Sequence, residues 1–478
     1  MDLHSLPIEE LAPLVRRRKA SPIELTRAYL QRVEKLNPAL NAYITVTAER
    51  ALADARRAER EIQRGQYRGP LHGIPISLKD NIYTRGVRTT AGSKVLAEFV
   101  PGEDADVAQR LFAAGSILLG KTNLHEFAYG VATENPHYGP ARNPWDTARI
   151  PGGSSGGSAA AIAAGLCAAS IGTDTGGSIR IPAAHCGIVG LKPTFDAVSV
   201  HGIVPLSLSL DHAGPLARTV GDALLLYEAA ARPADERRVL AAMARADLKR
   251  LRLAASVKKP LRGAVLGRPR EYFFEGLDAE VQQAVERAVQ ACEELGARVV
   301  EAAVPGMREM TEPSTHMALA EARAWHQSQG WFPARAGDYG EDVRKRLEMG
   351  AEVRAVDYIE SLRRKALLTA EMRGVFRRVD AIFAPVTPVA ATLIGQNVVL
   401  LGGQEEPVRA ALLRLNRPAN FAGLPAISVP CGFTSGGLPI GLQLIGPPFG
   451  ERDLCHIARA YEQAHEWRKA RPPLYGHA

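Results

Sequence analysis

Two glycine-rich segments, spaced so that one helix and one strand must fit between them, constrain this chain more than any other feature. The first reads Pro151-Gly152-Gly153-Ser154-Ser155-Gly156-Gly157-Ser158 and the second Gly172-Thr173-Asp174-Thr175-Gly176-Gly177-Ser178-Ile179-Arg180. Alanines take over directly after the first, which predicts a helix over 155–165. An apolar run over 168–172 predicts a strand that feeds the second. A third piece, Gly73-Ile74-Pro75-Ile76-Ser77-Leu78-Lys79-Asp80-Asn81, reads as a short apolar strand that delivers Lys79 where the strand runs out into a loop.

Those segments sit in a longer alternation. Strands are predicted over 74–78, 116–120 and 168–172, with helices over 106–114 and 155–165 between them. The second half resumes with a strand over 264–266, a helix over 279–295, a strand over 298–302 and two or three helices over 314–378. Strands follow over 381–383, 426–429 and 440–445, and a helix over 453–465 ends the pattern. Strands alternating with helices predict an α/β fold, a mixed central sheet covered by helices on both faces. Because pieces of sheet recur from the first half to the last, one large domain over 66–478 is expected. A helical arm over 1–65 packs on it, and the polar, Leu/Ala-rich stretch 233–262 reads as a helical surface insertion. In the arm, Ser21-Pro22-Ile23-Glu24 is a capping box with proline at the first helical position, and the helix is expected to stop before Asn37-Pro38.

Composition removes several function classes. At 478 residues and 46% hydrophobic the chain can bury a large core, while no run of 18 apolar residues suggests a membrane span. The N-terminus lacks an apolar stretch behind a basic start, so no secretory signal is expected. The five cysteines are odd in number and widely spaced, which fits reduced core residues of a cytoplasmic protein and no metal site. The net charge of +8 raises nucleic acid as a partner, but the basic residues are mixed with acids along helices. The acid-free stretch 249–270 also lacks aromatics, so a solvated face is the reading and no nucleic-acid partner is expected.

Serine needs a base to become a nucleophile. His72, His125, His185, His201 and His212 show no Ser–His–Asp order. The other base available is a lysine held neutral by burial. Lys79 fits, since it follows Ile74, Ile76 and Leu78; the competing reading is a surface lysine at a strand end. Gly152-Gly153-Ser154-Ser155-Gly156 also matches the G-x-S-x-G elbow, but that requires a strand directly before the serine, where this chain has loop chemistry. The second loop can turn the amides of Thr175, Gly176, Gly177 and Ser178 toward one point, a nest suited to an oxyanion beside an attacking Ser178. A tight connecting turn is the alternative there.

Taken with Gly187-Ile188-Val189-Gly190-Leu191-Lys192-Pro193-Thr194 and Asn420-Phe421-Ala422-Gly423-Leu424-Pro425-Ala426-Ile427-Ser428-Val429-Pro430, the two serine loops resemble those of the amidase signature family. The resemblance spans nearly the whole chain. It implies a single α/β/α domain, Ser178 as nucleophile, Ser154 as a bridging serine after a cis peptide bond, and Lys79 as base. It implies a small-molecule amide substrate, with aryl amides, esters and carbamates as further classes, and no cofactor. Dimers are common in the family, so a homodimer is one expectation.

Within that family the glutamine-hydrolysing component of the glutamyl/aspartyl-tRNA amidotransferase, its A subunit, passes ammonia to a partner and is the closest lookalike with a different task. That component usually has Gln where this chain has Ile181, and a carboxylate near the position of Leu413-Arg414-Leu415, whereas Arg346 resembles its substrate arginine. A stand-alone hydrolase is the main expectation; an inactive scaffold is a third reading, against which the intact Lys79, Ser154 and Ser178 speak. Candidate substrate contacts are Tyr129, Gly153, Phe195, Trp325 and Arg346. Arg180 either braces its loop or reaches an acidic substrate. Trp325, Trp331 and Phe332 either line an aromatic pocket or pack helices.

Overall fold

The computed structural model describes residues 3–233, 236, 259–269 and 271–477, and an eleven-stranded mixed sheet runs through it from end to end. Its strands are β1 (Tyr43–Val46), β2 (Pro75–Lys79), β3 (Ile117–Thr122), β6 (Ala169–Asp174), β7 (Val189–Lys192), β8 (His212–Ala217), β9 (Val265–Arg268), β10 (Arg298–Glu301), β11 (Ala381–Pro385), β14 (Ala426–Phe433) and β15 (Pro439–Ile445). The short pairs β4 (Glu134–Asn135) with β5 (Gly139–Pro140), and β12 (Val398–Leu401) with β13 (Gln404–Pro407), lie outside it. Across the sheet the order is β1-β3-β2-β6-β8-β7-β14-β15-β11-β9-β10. Parallel ladders join β3, β2 and β6 at one side and β11, β9 and β10 at the other, with antiparallel ladders between.

The predicted alternation is present, with helices covering both faces. Strands β2, β3, β6 and β8 are buried along their whole length, as strands covered on both faces must be. Helix α1 covers Ile8–Arg16, α2 Pro22–Leu40, α3 Ala48–Gln63, α4 Asp106–Ala113, α5 Gly156–Ala163, α6 Arg180–Cys186 and α7 Val220–Ala230. Helix α8 covers Ala279–Glu294, α9 Thr311–Ser328, α10 Glu341–Met349, α11 Ala355–Val375, α12 Val408–Arg414, α13 Arg417–Phe421 and α14 Glu451–Gln463. The alanine-rich α5 is buried at every position, which its small side chains permit close to the sheet. One apolar cluster takes residues from Ile8 to Tyr461, so the two halves share a core. Among the described residues no helix is long and apolar enough to cross a membrane.

Two expectations about the first 65 residues need correction. Helix α2 begins as predicted, with Ser21 Oγ accepting from the amides of Ile23 at 3.1 Å and Glu24 at 3.3 Å, but it continues through Pro38 to Leu40. Proline forfeits its own amide bond and its ring crowds the carbonyl four residues back, but here both fall in the last turn of the helix. The stop comes at Asn41, in the left-handed region at φ 49°, whose amide donates to the Asn37 carbonyl. The arm is also not wholly helical: β1, a short run with β-branched residues, pairs antiparallel with β3 at the sheet edge. The expected insertion over 233–262 lies outside the described residues except at its ends.

Candidate active site

Strand β2 alternates Ile76 and Leu78 with Ser77 and Lys79, and its C-terminal end places Lys79 among polar groups beneath both glycine-rich loops. Lys79 is fully buried, and its Nζ donates to Ser154 Oγ at 2.7 Å and to Thr173 Oγ1 at 2.8 Å. Burial pushes its pKa down to about 7, against the opposing pull of Asp174 and Asp211. A substantial fraction of this amine is therefore neutral near pH 7. No ring nitrogen of the five candidate histidines hydrogen-bonds either serine among the described residues; His125 meets Ser154 only through its backbone amide, at 3.2 Å.

The first loop holds Ser154 rigidly. The Gly153–Ser154 peptide is cis. Thr133 Oγ1 donates to the Gly152 carbonyl at 2.8 Å and accepts from the Gly156 amide at 3.1 Å, at the start of α5. A Cβ on Gly153 would lie 2.8 Å from the Thr133 amide nitrogen and 2.9 Å from that of Ala132, so backbone crowding explains the glycine. Gly153 thus serves loop packing, and it is absent from the walls of the cleft described below.

Asp174, the last residue of β6, organises the second loop. Its carboxylate accepts from the amides of Gly177 at 2.7 Å and Ile179 at 3.1 Å, from Arg180 Nε and Nη2 at 3.1 Å each, and from Asn420 Nδ2 at 2.8 Å. Burial pushes its pKa up, but the Arg180 guanidinium and these bonds hold the carboxyl well below the usual range. Two expectations change here. The Gly177 amide is turned inward to Asp174, so only Thr175, Gly176 and Ser178 of the predicted nest face the cleft. Arg180 is fully buried and also donates to Gln443 Oε1 at 2.9 Å, the Asn416 carbonyl at 3.1 Å and Asn420 Oδ1 at 2.6 Å, so it braces the loop and is not among the residues lining the cleft. The two loops are tied together: the Ser155 amide donates to the Ser178 carbonyl at 3.2 Å.

Ser178 opens onto a cleft lined also by Tyr129, Thr175, Gly176, Leu206, Leu413, Arg409 and Arg417. Tyr129, a candidate contact, lines this cleft. Arg346 stands behind it, donating to the Tyr129 carbonyl at 2.6 Å and to Asp342 Oδ2 at 2.8 Å. Its guanidinium lies 5.4 Å from the Tyr129 ring centre. Phe195 is outside the cleft, half exposed, with its ring 5.5 Å from His212 and Lys365 Nζ 5.5 Å above it. Trp325 packs edge-on against Trp331 at 5.2 Å in an aromatic cluster with Phe127, His326, Phe332 and Tyr339, so the helix-packing alternative describes it. Arg409 and Arg417 were missed. The signal available was a run with no Asp or Glu between Glu406 and Glu451 that carries arginines just ahead of the Asn420–Pro430 motif.

Residues 24–455 match the family model described as Amidase. The A subunit of the glutamyl-tRNA(Gln) amidotransferase of Carboxydothermus hydrogenoformans is 39% identical, over 99% of this chain and all of its own length. Among solved structures, a crystallised amidase superposes with a TM-score of 0.86 at 33% identity, covering 96% of this chain and 100% of that one. The corresponding A subunit of Thermotoga maritima superposes at 0.76 with 32% identity, covering 97% and 95%.

Proposed function

The chain belongs to the amidase family, and from that premise we propose that it is an amide hydrolase working by acyl transfer to Ser178, active without partner subunits. The observation that carries the reading is the buried Lys79, held at 2.7 Å from Ser154 Oγ with its pKa lowered to about 7. A lysine in that state can serve as a base near neutral pH, where an ordinary lysine is protonated.

In this mechanism Ser178 Oγ attacks the substrate carbonyl carbon while its proton passes to Ser154 and the proton of Ser154 passes to neutral Lys79. The carbonyl π pair moves to oxygen, and the backbone amides of Thr175, Gly176 and Ser178, residues that line the cleft, are the donors proposed for it. Collapse breaks the C–N bond, and the proton on Lys79 returns through Ser154 to the departing nitrogen. Water then attacks the ester by the same relay, releasing the acid and restoring Ser178. Asp174 acts at one remove, by fixing the loop that presents Ser178.

A second reading, the amide-cleaving component of an amidotransferase, is favoured by identities of 39–41% to such proteins over 97–99% of the chain. Purified protein should turn over anilides or carbamates alone, lose that activity in Ser178→Ala, and be labelled at Ser178 by a fluorophosphonate. Turnover of glutamine only, and only with added partner subunits, would move it to the second reading. No labelling and no turnover at all would leave the fold without this chemistry.

A further inference from the structure

Beside the second serine loop, where Arg417 Cγ would lie 3.7 Å from a Cβ on Gly176, the described wall of the cleft holds cations without anions. Arg409 on α12 and Arg417 at the start of α13 both line it, and both are half-buried. Arg417 Nη1 donates to Thr315 Oγ1 at 3.1 Å, and the Arg409 guanidinium lies 6.0 Å from the Tyr129 ring centre. Arg409 Nε and the phenol oxygen of Tyr129 are buried with no hydrogen-bond partner among the described residues, and Tyr129 is only 2% exposed. Asp342, whose charge acts on Arg409, is already shared between His125 Nε2 and Arg346, each at 2.8 Å. Among the described residues no Asp or Glu lines the cleft. Burial and the neighbouring Arg346 and Arg417 push the Arg409 pKa down, the direction expected of a cation held among cations.

Buried donors and charges are retained where something pairs with them, because leaving them unpaired is costly. We infer that the cleft selects amide substrates carrying a carboxylate away from the scissile bond, held by Arg409 and Arg417 with the Tyr129 hydroxyl as a further donor. The planar guanidinium matches a carboxylate with two parallel hydrogen bonds, which an uncharged group cannot reproduce. The same wall offers no carboxylate to an ammonium, so a free amino-acid amide fits it less well than a simple carboxylic acid amide. This inference rests on the proposed role of Ser178.

Matched substrates test it. The pair 3-(4-acetamidophenyl)propanoate and 4-(2-nitroethyl)acetanilide carries a carboxylate or its uncharged planar nitro isostere on the leaving side, two methylenes from the ring. Glutaric monoanilide and 4-nitrobutanoic anilide do so on the acyl side. In at least one pair the carboxylate member should have a kcat/KM at least about tenfold higher, the size of one charge-assisted hydrogen bond. That ratio should collapse toward one in Arg409→Gln and Arg417→Gln. Equal turnover within both pairs by the unmodified protein, or a ratio unmoved in both variants, overturns the inference. Should the variants not fold, the unmodified protein still decides: glutarate should slow fluorophosphonate labelling of Ser178 and glutaramide should not, and equal effects overturn it. If no amide is turned over and Ser178 is not labelled, the hydrolase reading has failed. Calorimetric titration of glutarate against glutaramide on Ser178→Ala then tests the arginine pair alone, and no preference for glutarate overturns it.

Discussion

Two fully buried lysines on neighbouring parallel strands have been put to different uses. Lys79 ends β2 and Lys121 sits in β3, one register step away, since Leu78 pairs with Lys121 and Lys79 with Thr122. Burial lowers both pKa values, to about 7 for Lys79 and about 8 for Lys121. Their partners differ. Lys121 Nζ donates to the Ile82 carbonyl at 2.6 Å and Thr89 Oγ1 at 2.7 Å, and faces Asp80 Oδ1 at 3.6 Å. Two of its N–H groups thus have acceptors and the charge faces a carboxylate at ion-pair distance; the carbonyl and the carboxylate can never donate back, so the ammonium is fixed as a staple for the segment after β2. Lys79 meets two hydroxyls. A hydroxyl can reverse its role and donate to a neutral amine, which is what a proton relay requires. Depth sets how strongly the charge is penalised; the partners decide what the nitrogen can do.

The largest expected effect separates the two lysines outright. Lys79→Met should lower kcat by about 10²–10⁴, the range for loss of a general base, while leaving the unfolding free energy within about 1 kcal/mol, because no carboxylate is orphaned. Lys121→Met should do the reverse. It strands Asp80 in the core, which should cost about 3–5 kcal/mol in denaturant unfolding, with turnover per folded molecule changed only a few-fold. An active Lys79→Met, or a fully stable Lys121→Met, would break the comparison.

The pH profile is the next discriminator. The proposed base works as the neutral amine, so protonation below its pKa of about 7 removes activity. The rate should fall about tenfold per pH unit below that point and level off above it. The midpoint should be the same in whatever folded fraction of Lys121→Met survives, because Lys121 takes no part in the relay. A rate that stays flat from about pH 5 to 9 would exclude Lys79 as the base.

How much of this could be read beforehand follows the same division. Lys79 was legible because Ile74, Ile76 and Leu78 mark a buried strand and the serine loops gave its end a purpose. The alternation over 74–172 likewise carried β2, β3, β6 and the placement of both loops, whereas β7 and β8 were not predicted. Lys121 occupies an equally buried strand and drew no attention, because depth shows in sequence while the identity of a partner such as Asp80, 41 positions away, does not. The inward turn of the Gly177 amide is local, to Asp174 three positions back, but the full engagement of Arg180 also draws on Asn416, Asn420 and Gln443, 236 to 263 positions away. Arg409 and Arg417 were hidden for a related reason. On a short amphipathic helix an arginine looks like a solvated face, and only the fold shows that it faces a cleft. β1 escaped because four residues between two strong helices carry too little periodicity to register.

The smallest expected effect is the finest test of the idea that partners set the role. Each lysine holds one threonine hydroxyl: Thr173 at 2.8 Å from Lys79, Thr89 at 2.7 Å from Lys121. Thr173→Val and Thr89→Val remove one acceptor of the ammonium at nearly constant volume. At Lys79 the charged form loses support that desolvation already opposes, so the pKa should fall and the acid limb of the rate profile should move to lower pH, by less than about one pH unit. The plateau rate should drop only a few-fold, since Ser154 still makes the relay. At Lys121 the same change should leave the rate profile where it was and appear instead as about 1–2 kcal/mol of lost stability, the cost of an unpaired ammonium donor in the core. A Thr173→Val limb that moved to higher pH would mean that the hydroxyl does not stabilise the ammonium, and the two lysines would then differ in something other than their partners.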